Sequence, residues 1–131
     1  MVTCVCCRLN TGRQGHAMTA VTGGRVCVLG GGSVPTRSRL SSIELIESDG
    51  VVHKAGQLTY SYCHNVVCCG VSEGRCVLVC GANDDSGSQC VQVYDVLSQR
   101  VTHSVTLPYT GWPVMYGAVC TQGHLVVVSS E

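Results

Sequence analysis

Cysteine and histidine are the residues of this chain best suited to chemistry, with 11 and 5 copies in 131 residues. Their spacing decides what they can do. The cysteines are Cys4, Cys6, Cys7, Cys27, Cys63, Cys68, Cys69, Cys76, Cys80, Cys90 and Cys120. A zinc site asks for paired ligands a few residues apart, and Cys76-x₃-Cys80 meets that spacing. In an extended strand, however, both side chains share one face, and their neighbours are Val77, Leu78 and Val79. A disulfide framework asks for export, and Met1–Arg8 has no basic stretch ahead of its apolar residues. The expectation is reduced, buried thiols acting as small hydrophobes in a cytoplasmic protein.

The histidines fall into pairs. His53 and His103 are 50 positions apart, and His16 and His64 are 48 apart. Residues repeated at such distances mark architecture better than convergence on one ion. Gly30-Gly31-Gly32-Ser33 follows an apolar run, as phosphate loops do, but no Gly-Lys-Ser/Thr follows. Asn83-Asp84-Asp85-Ser86-Gly87 lacks the alternating ligands and distal Glu of a calcium loop. No Ser-His-Asp order, paired-carboxylate motif or redox C-x-x-C stands out. The expectation is a protein that is not an enzyme, with no metal and no cofactor.

The spacing comes from a repeat of about fifty residues. Val21-Thr22-Gly23-Gly24-Arg25-Val26-Cys27-Val28-Leu29-Gly30-Gly31 is followed by Val71-Ser72-Glu73-Gly74-Arg75-Cys76-Val77-Leu78-Val79-Cys80-Gly81. The pattern begins again at Cys120-Thr121-Gln122-Gly123-His124-Leu125-Val126-Val127-Val128. Gly24 to Gly74 is 50 positions, and Gly74 to Gly123 is 49.

This order resembles the kelch repeat. Gly12-Arg13-Gln14-Gly15-His16-Ala17 opens the unit, Gly30-Gly31 ends its second strand, and a later strand ends in Tyr94-Asp95. The departures are Cys80-Gly81 for the second Gly-Gly, Ile46-Glu47 for the first Tyr-Asp, and Val101 near the place of the usual Trp. The resemblance implies an all-β fold, an incomplete kelch-type β-propeller of about two and a half four-stranded blades. It also implies an adaptor or scaffold that recognises proteins through its loops. The alternatives are a noncatalytic lobe or fragment of a larger enzyme, such as a tRNA-modifying methyltransferase, or a truncated product without a role of its own.

Val, Thr, Cys and Tyr with regularly spaced Gly favour strands and turns. The expected strands are 17–22, 25–29, 42–46 and 51–54 in repeat 1 (13–61), and 64–71, 75–80, 90–96 and 100–105 in repeat 2 (62–113). Strands 117–121 and 124–129 begin repeat 3 (114–131), and residues 1–12 would carry the fourth strand of a preceding blade. The first strand of repeat 2 is expected to hold two extra residues, absorbed by a bulge or a longer entry loop. Open blade faces then call for further blades or a second chain.

Formal net charge is zero and charged residues are 12%, which gives no pull toward nucleic acid. No apolar run approaches the ~20 residues that span a bilayer. The expected partner is therefore a protein. In a propeller, connections 32–41, 55–62, 82–89 and 107–116 gather on one face. They offer Arg37, Arg39, Tyr60, Tyr62, Asn83, Asp84, Asp85, Tyr109 and Trp112 as partner-binding residues, charges of both signs among amphipathic aromatics.

Overall fold

The computed structural model describes residues 7–62, 66–82, 88–110, 115–121 and 124–129. Among them there is no helix: the chain is all-β. A short pair, β1 (Arg13–Gln14) and β4 (Gly32–Ser33), flanks β2 (Ala17–Val21) and β3 (Arg25–Leu29). Next come β5 (Leu40–Ile46) and β6 (Val52–Tyr62). The order continues with β7 (Val67–Val71), β8 (Cys76–Ala82), β9 (Ser88–Asp95) and β10 (Arg100–Thr110). The last pair is β11 (Met115–Thr121) and β12 (His124–Ser129). No helix among the described residues is long and apolar enough to cross a membrane.

Three antiparallel sheets stack in chain order. The first is β2-β3-β5-β6, the second β7-β8-β9-β10, and the third the pair β11-β12. First strands lie beside first strands, β2 by β7 and β7 by β11, and fourth strands do the same, β6 by β10. The register makes the repeat visible. Ala17–Val21, Val67–Val71 and 117–121 occupy matching positions against their second strands.

The turns between these strands differ. Val21 faces Arg25, whereas Val71 faces Cys76, one residue further on. Repeat 2 thus gains one residue in this turn. β2 and β7 are each five residues long and fifty positions apart, so the two further residues between His64 and Val67 precede β7, and of that entry residues 63–65 lie outside the described residues. The shift also makes Gly81 the counterpart of Gly30 in the next sheet: Leu29 pairs Ile43 as Cys80 pairs Val91. Gly23 and Gly24 hold φ of 80° and 69° in the first turn, a left-handed pair that glycine adopts without strain.

The core lies between the first two sheets. Cys27, Leu29, Ile43 and Leu45 project from the front of the first sheet, and Val77, Val79 and Tyr94 from the back of the second. Three buried polar side chains tie the two together. Gln92 accepts from the N–H groups of Thr59 and Tyr60 at 2.8 and 3.1 Å and donates to the Tyr60 carbonyl at 3.1 Å. The Tyr62 hydroxyl donates toward the carbonyls of Val79 and Cys90 at 3.2 and 3.1 Å. The Tyr94 hydroxyl donates to the carbonyl of Ala55. Glycine permits the close approach: a Cβ on Gly81 would lie 2.8 Å from the Tyr62 ring, and one on Gly74 2.6 Å from the Thr22 nitrogen.

Strand β6 runs to Tyr62 rather than ending at Lys54. A bulge absorbs the change, with register shifts on both sides of the Ser42–Gln57 pair and Gly56 at φ 101°. Residues 55–62 are therefore strand, which corrects their reading as a loop. Likewise β10 extends to Thr110.

Candidate interaction surface

The connection from β3 to β5 is a compact exposed loop. Gly30 and Gly31, at φ 62° and 86°, turn the chain out of β3. The Leu40 N–H then donates back to the Gly31 carbonyl at 2.8 Å. Within the loop, the Ser33 N–H donates to Ser38 and the Arg37 N–H to Ser33, each at 2.8 Å. This folding leaves residues 34–39 exposed. Arg37 stands at φ 58° near the tip, and Val34 is 56% exposed.

The sheet register brings the end of β6 to the same edge. Arg39 bridges Gly32, and the next residue, Leu40, pairs with Tyr62. Tyr60, two residues earlier on β6, is exposed. Two cations and an amphipathic ring thus belong to one end of the first sheet. Such a set suits a polar or acidic protein surface, since Arg and Tyr combine charge, hydrogen bonding and contact area.

Tyr62 does not belong to that surface. It is fully buried, its ring against Gly81 and its hydroxyl on β8 and β9. Burial drives its phenol well above the ordinary value, so it stays a neutral donor. The backbone of Tyr109 lies in β10. Asn83, Asp84, Asp85 and Trp112 lie outside the described residues.

A second polar centre sits on the back of the first sheet, and the sequence reading passed over it. Arg13 and Glu44 form a buried ion pair at 2.9 Å. Every donor of the guanidinium is used. Nε and Nη2 reach Glu44 Oε2 at 3.2 and 2.9 Å, and Nη2 also reaches Ser42 Oγ at 2.9 Å. Nη1 reaches the carbonyls of Gly30 and Ser42 at 3.0 and 2.8 Å. Burial pushes the Glu44 carboxyl up, but the Asn10 N–H and the Arg13 guanidinium together hold it below the usual carboxylate range. The signal available in the sequence was Glu44 itself, one acidic residue set between Ile43 and Leu45.

A cleft of about 270 Å³ opens beside this pair, lined by Thr11, Arg13, Glu44, Lys54 and Gln57 among others. Because Arg13 has no donor to spare, Lys54 is the cation that the cleft can present. The arrangement anchors backbone: Arg13 holds the carbonyls of Gly30 and Ser42, and Glu44 the N–H of Asn10. Three of the described thiols are held in the neutral form: burial pushes Cys27 and Cys68 up to about 12 and Cys80 up to about 11. Among the described residues, no group of three His, Cys, Asp or Glu could hold a metal ion. His53 faces Leu45 and His103 faces Val93, matching places in two sheets. In comparisons with known proteins, no family model matches the chain, and no curated protein matches it.

Proposed function

We propose that this chain is part of a kelch-type β-propeller and serves as a protein-recognition module. The observation that carries the reading is the stacking of successive antiparallel sheets with their first strands side by side, at a constant offset of about fifty residues. The first two sheets bury facing sides against each other, the energetic logic of a repeat array. Rigid stacked sheets hold the connecting loops in place, and binding residues favour such loops. The recognition surface is the edge bearing Arg37, Arg39 and Tyr60. High-pKa, buried thiols suit a reducing compartment such as the cytoplasm.

A photo-cross-linking residue at position 37 tests this. The reading expects a discrete protein adduct in cell extract that excess unlabelled chain competes away and that Arg39→Ala weakens. The same probe at position 73, in the opposite turn, should give none. Equal labelling from both positions would refute the assignment.

A further inference from the structure

The cleft beside the Arg13–Glu44 pair gathers side chains that break the repeat. Glu44 stands between Val28 and Lys54 as Gln92 stands between Val79 and Ser104. Ser42, two residues before Glu44, corresponds to Cys90, and Arg13 reaches the Ser42 carbonyl as Tyr62 reaches that of Cys90. In the second sheet this place is held by Tyr62, Cys90, Gln92 and Ser104. None of them is a charged residue, and the first three are fully buried. Stacking works there without an ion. A buried ion pair is seldom more stabilising than neutral side chains of similar volume, so packing alone does not account for Arg13, Glu44 and Lys54 in the first sheet.

These residues surround one opening with hydrogen-bond donors. Arg13 and Glu44, with side chains 0% and 2% exposed, form a fixed wall of the cleft, and their charges cancel. Lys54 lines the same cleft, is exposed, and has no carboxylate partner among the described residues. It therefore leaves the lining with one positive charge. The Ser42 hydroxyl oxygen accepts from Arg13 Nη2 at 2.9 Å, so its own proton is free to be donated. Gln57 accepts from Ser41 through Oε1 at 3.4 Å, which leaves its amide NH₂ group to donate. The Thr11 hydroxyl adds a fourth donor to the lining. An ionised carboxylate is an acceptor-only group that takes several such bonds. The volume of about 270 Å³ suits a carboxylate with a short carbon chain behind it. The Glu44 carboxylate in the wall disfavours a dianion such as phosphate.

We propose that this cleft is a carboxylate-binding site in which Lys54, Gln57, Ser42 and Thr11 hold the carboxylate of a small organic acid or of one acidic side chain. None of Arg37, Arg39 and Tyr60 lines it, so the site is additional to the recognition edge.

Amide correlation spectra of the whole chain, titrated with butyrate or with acetyl-Gly-Glu-Gly-amide, test the site and separate the two sources. Either probe should give saturable shifts centred on Thr11, Lys54 and Gln57, and the tighter one identifies the source. Lys54→Met should weaken binding by about tenfold and Gln57→Ala by about threefold. Lys54→Arg should keep most of the affinity, and Glu73→Ala should change nothing. Lys54 and Gln57 are exposed, so these variants keep the fold, and the same spectra report it. Shifts that never saturate, shifts confined to residues 34–39, inorganic phosphate binding as tightly as both carboxylates, or undiminished binding by Lys54→Met would each overturn the site.

Discussion

Asn10 rests on Glu44 across the back of the first sheet, its N–H 2.6 Å from the carboxylate. The matching contact one sheet later is Tyr60 on Gln92, with the N–H 3.1 Å from the amide oxygen. Glu44 and Gln92 hold the same place in the third strand, between Val28 and Lys54 in one sheet and between Val79 and Ser104 in the other. Arg13 and Tyr62 extend the parallel, since Arg13 reaches the carbonyl of Ser42 and Tyr62 that of Cys90. The segment before β1 therefore meets the first sheet as the end of β6 meets the second. The repeat is a repeat of contacts as well as of sequence.

Gln92→Leu is expected to lower stability by about 2 kcal/mol, because it leaves the Thr59 and Tyr60 N–H groups buried against an apolar side chain. Denaturant unfolding would measure it. The exposed Gln57→Ala should change stability by less than about 0.5 kcal/mol.

Glu44→Gln leaves the buried Arg13 charge without its counter-ion and is expected to cost about 3–5 kcal/mol. Arg13→Met with Glu44→Leu should cost less than Glu44→Gln alone, since no charge remains buried. A denaturation series on the three variants decides this. The pH dependence follows from the same carboxylate. Its folded pKa is depressed, so its contribution is full above the unfolded value of about 4.3. It is lost as pH falls through the lower folded value. An acid titration monitored by circular dichroism should show that loss in the native chain and a flatter profile in Glu44→Gln.

Gly74→Ala is expected to destabilise by about 1–3 kcal/mol. Its φ is 80°, and a Cβ would meet the Thr22 nitrogen at 2.6 Å. Gly12→Ala should be tolerated, because its nearest neighbours, on Val34, stand at an ordinary 3.6 Å. Thermal melts of the two variants provide the comparison.

Much of this architecture is legible in the residues. Strands 25–29 and 124–129 fall where Val-rich runs and flanking glycines put them. The length of β6 is not legible, because Gly56 and the bulge around Gln57 break the alternation that marks a strand. Tyr62 consequently reads as a loop aromatic, although its ring fills the space over Gly81. Arg37 and Arg39 are exposed as a polar loop implies. The Arg13–Glu44 pair joins residues 31 apart in sequence, and single-strand periodicity carries no sign of so distant a partner.

Arg37→Ala and Tyr60→Ala are expected to weaken partner binding by about 1–2 kcal/mol each, and Glu73→Ala to leave it unchanged. Titration calorimetry with the partner captured at position 37 would read the order. Circular dichroism of each variant checks that folding is retained.

Hydrogen exchange at the Thr59 and Tyr60 amides tests the stacking of repeats most directly, because both hydrogen bonds run to Gln92 in the neighbouring sheet. The account predicts protected amides in the native chain, with protection lost at these two positions in Gln92→Leu while β2–β3 amides stay slow. Rapid exchange of Thr59 and Tyr60 in the native chain, beside slow exchange in β2 and β3, would contradict it.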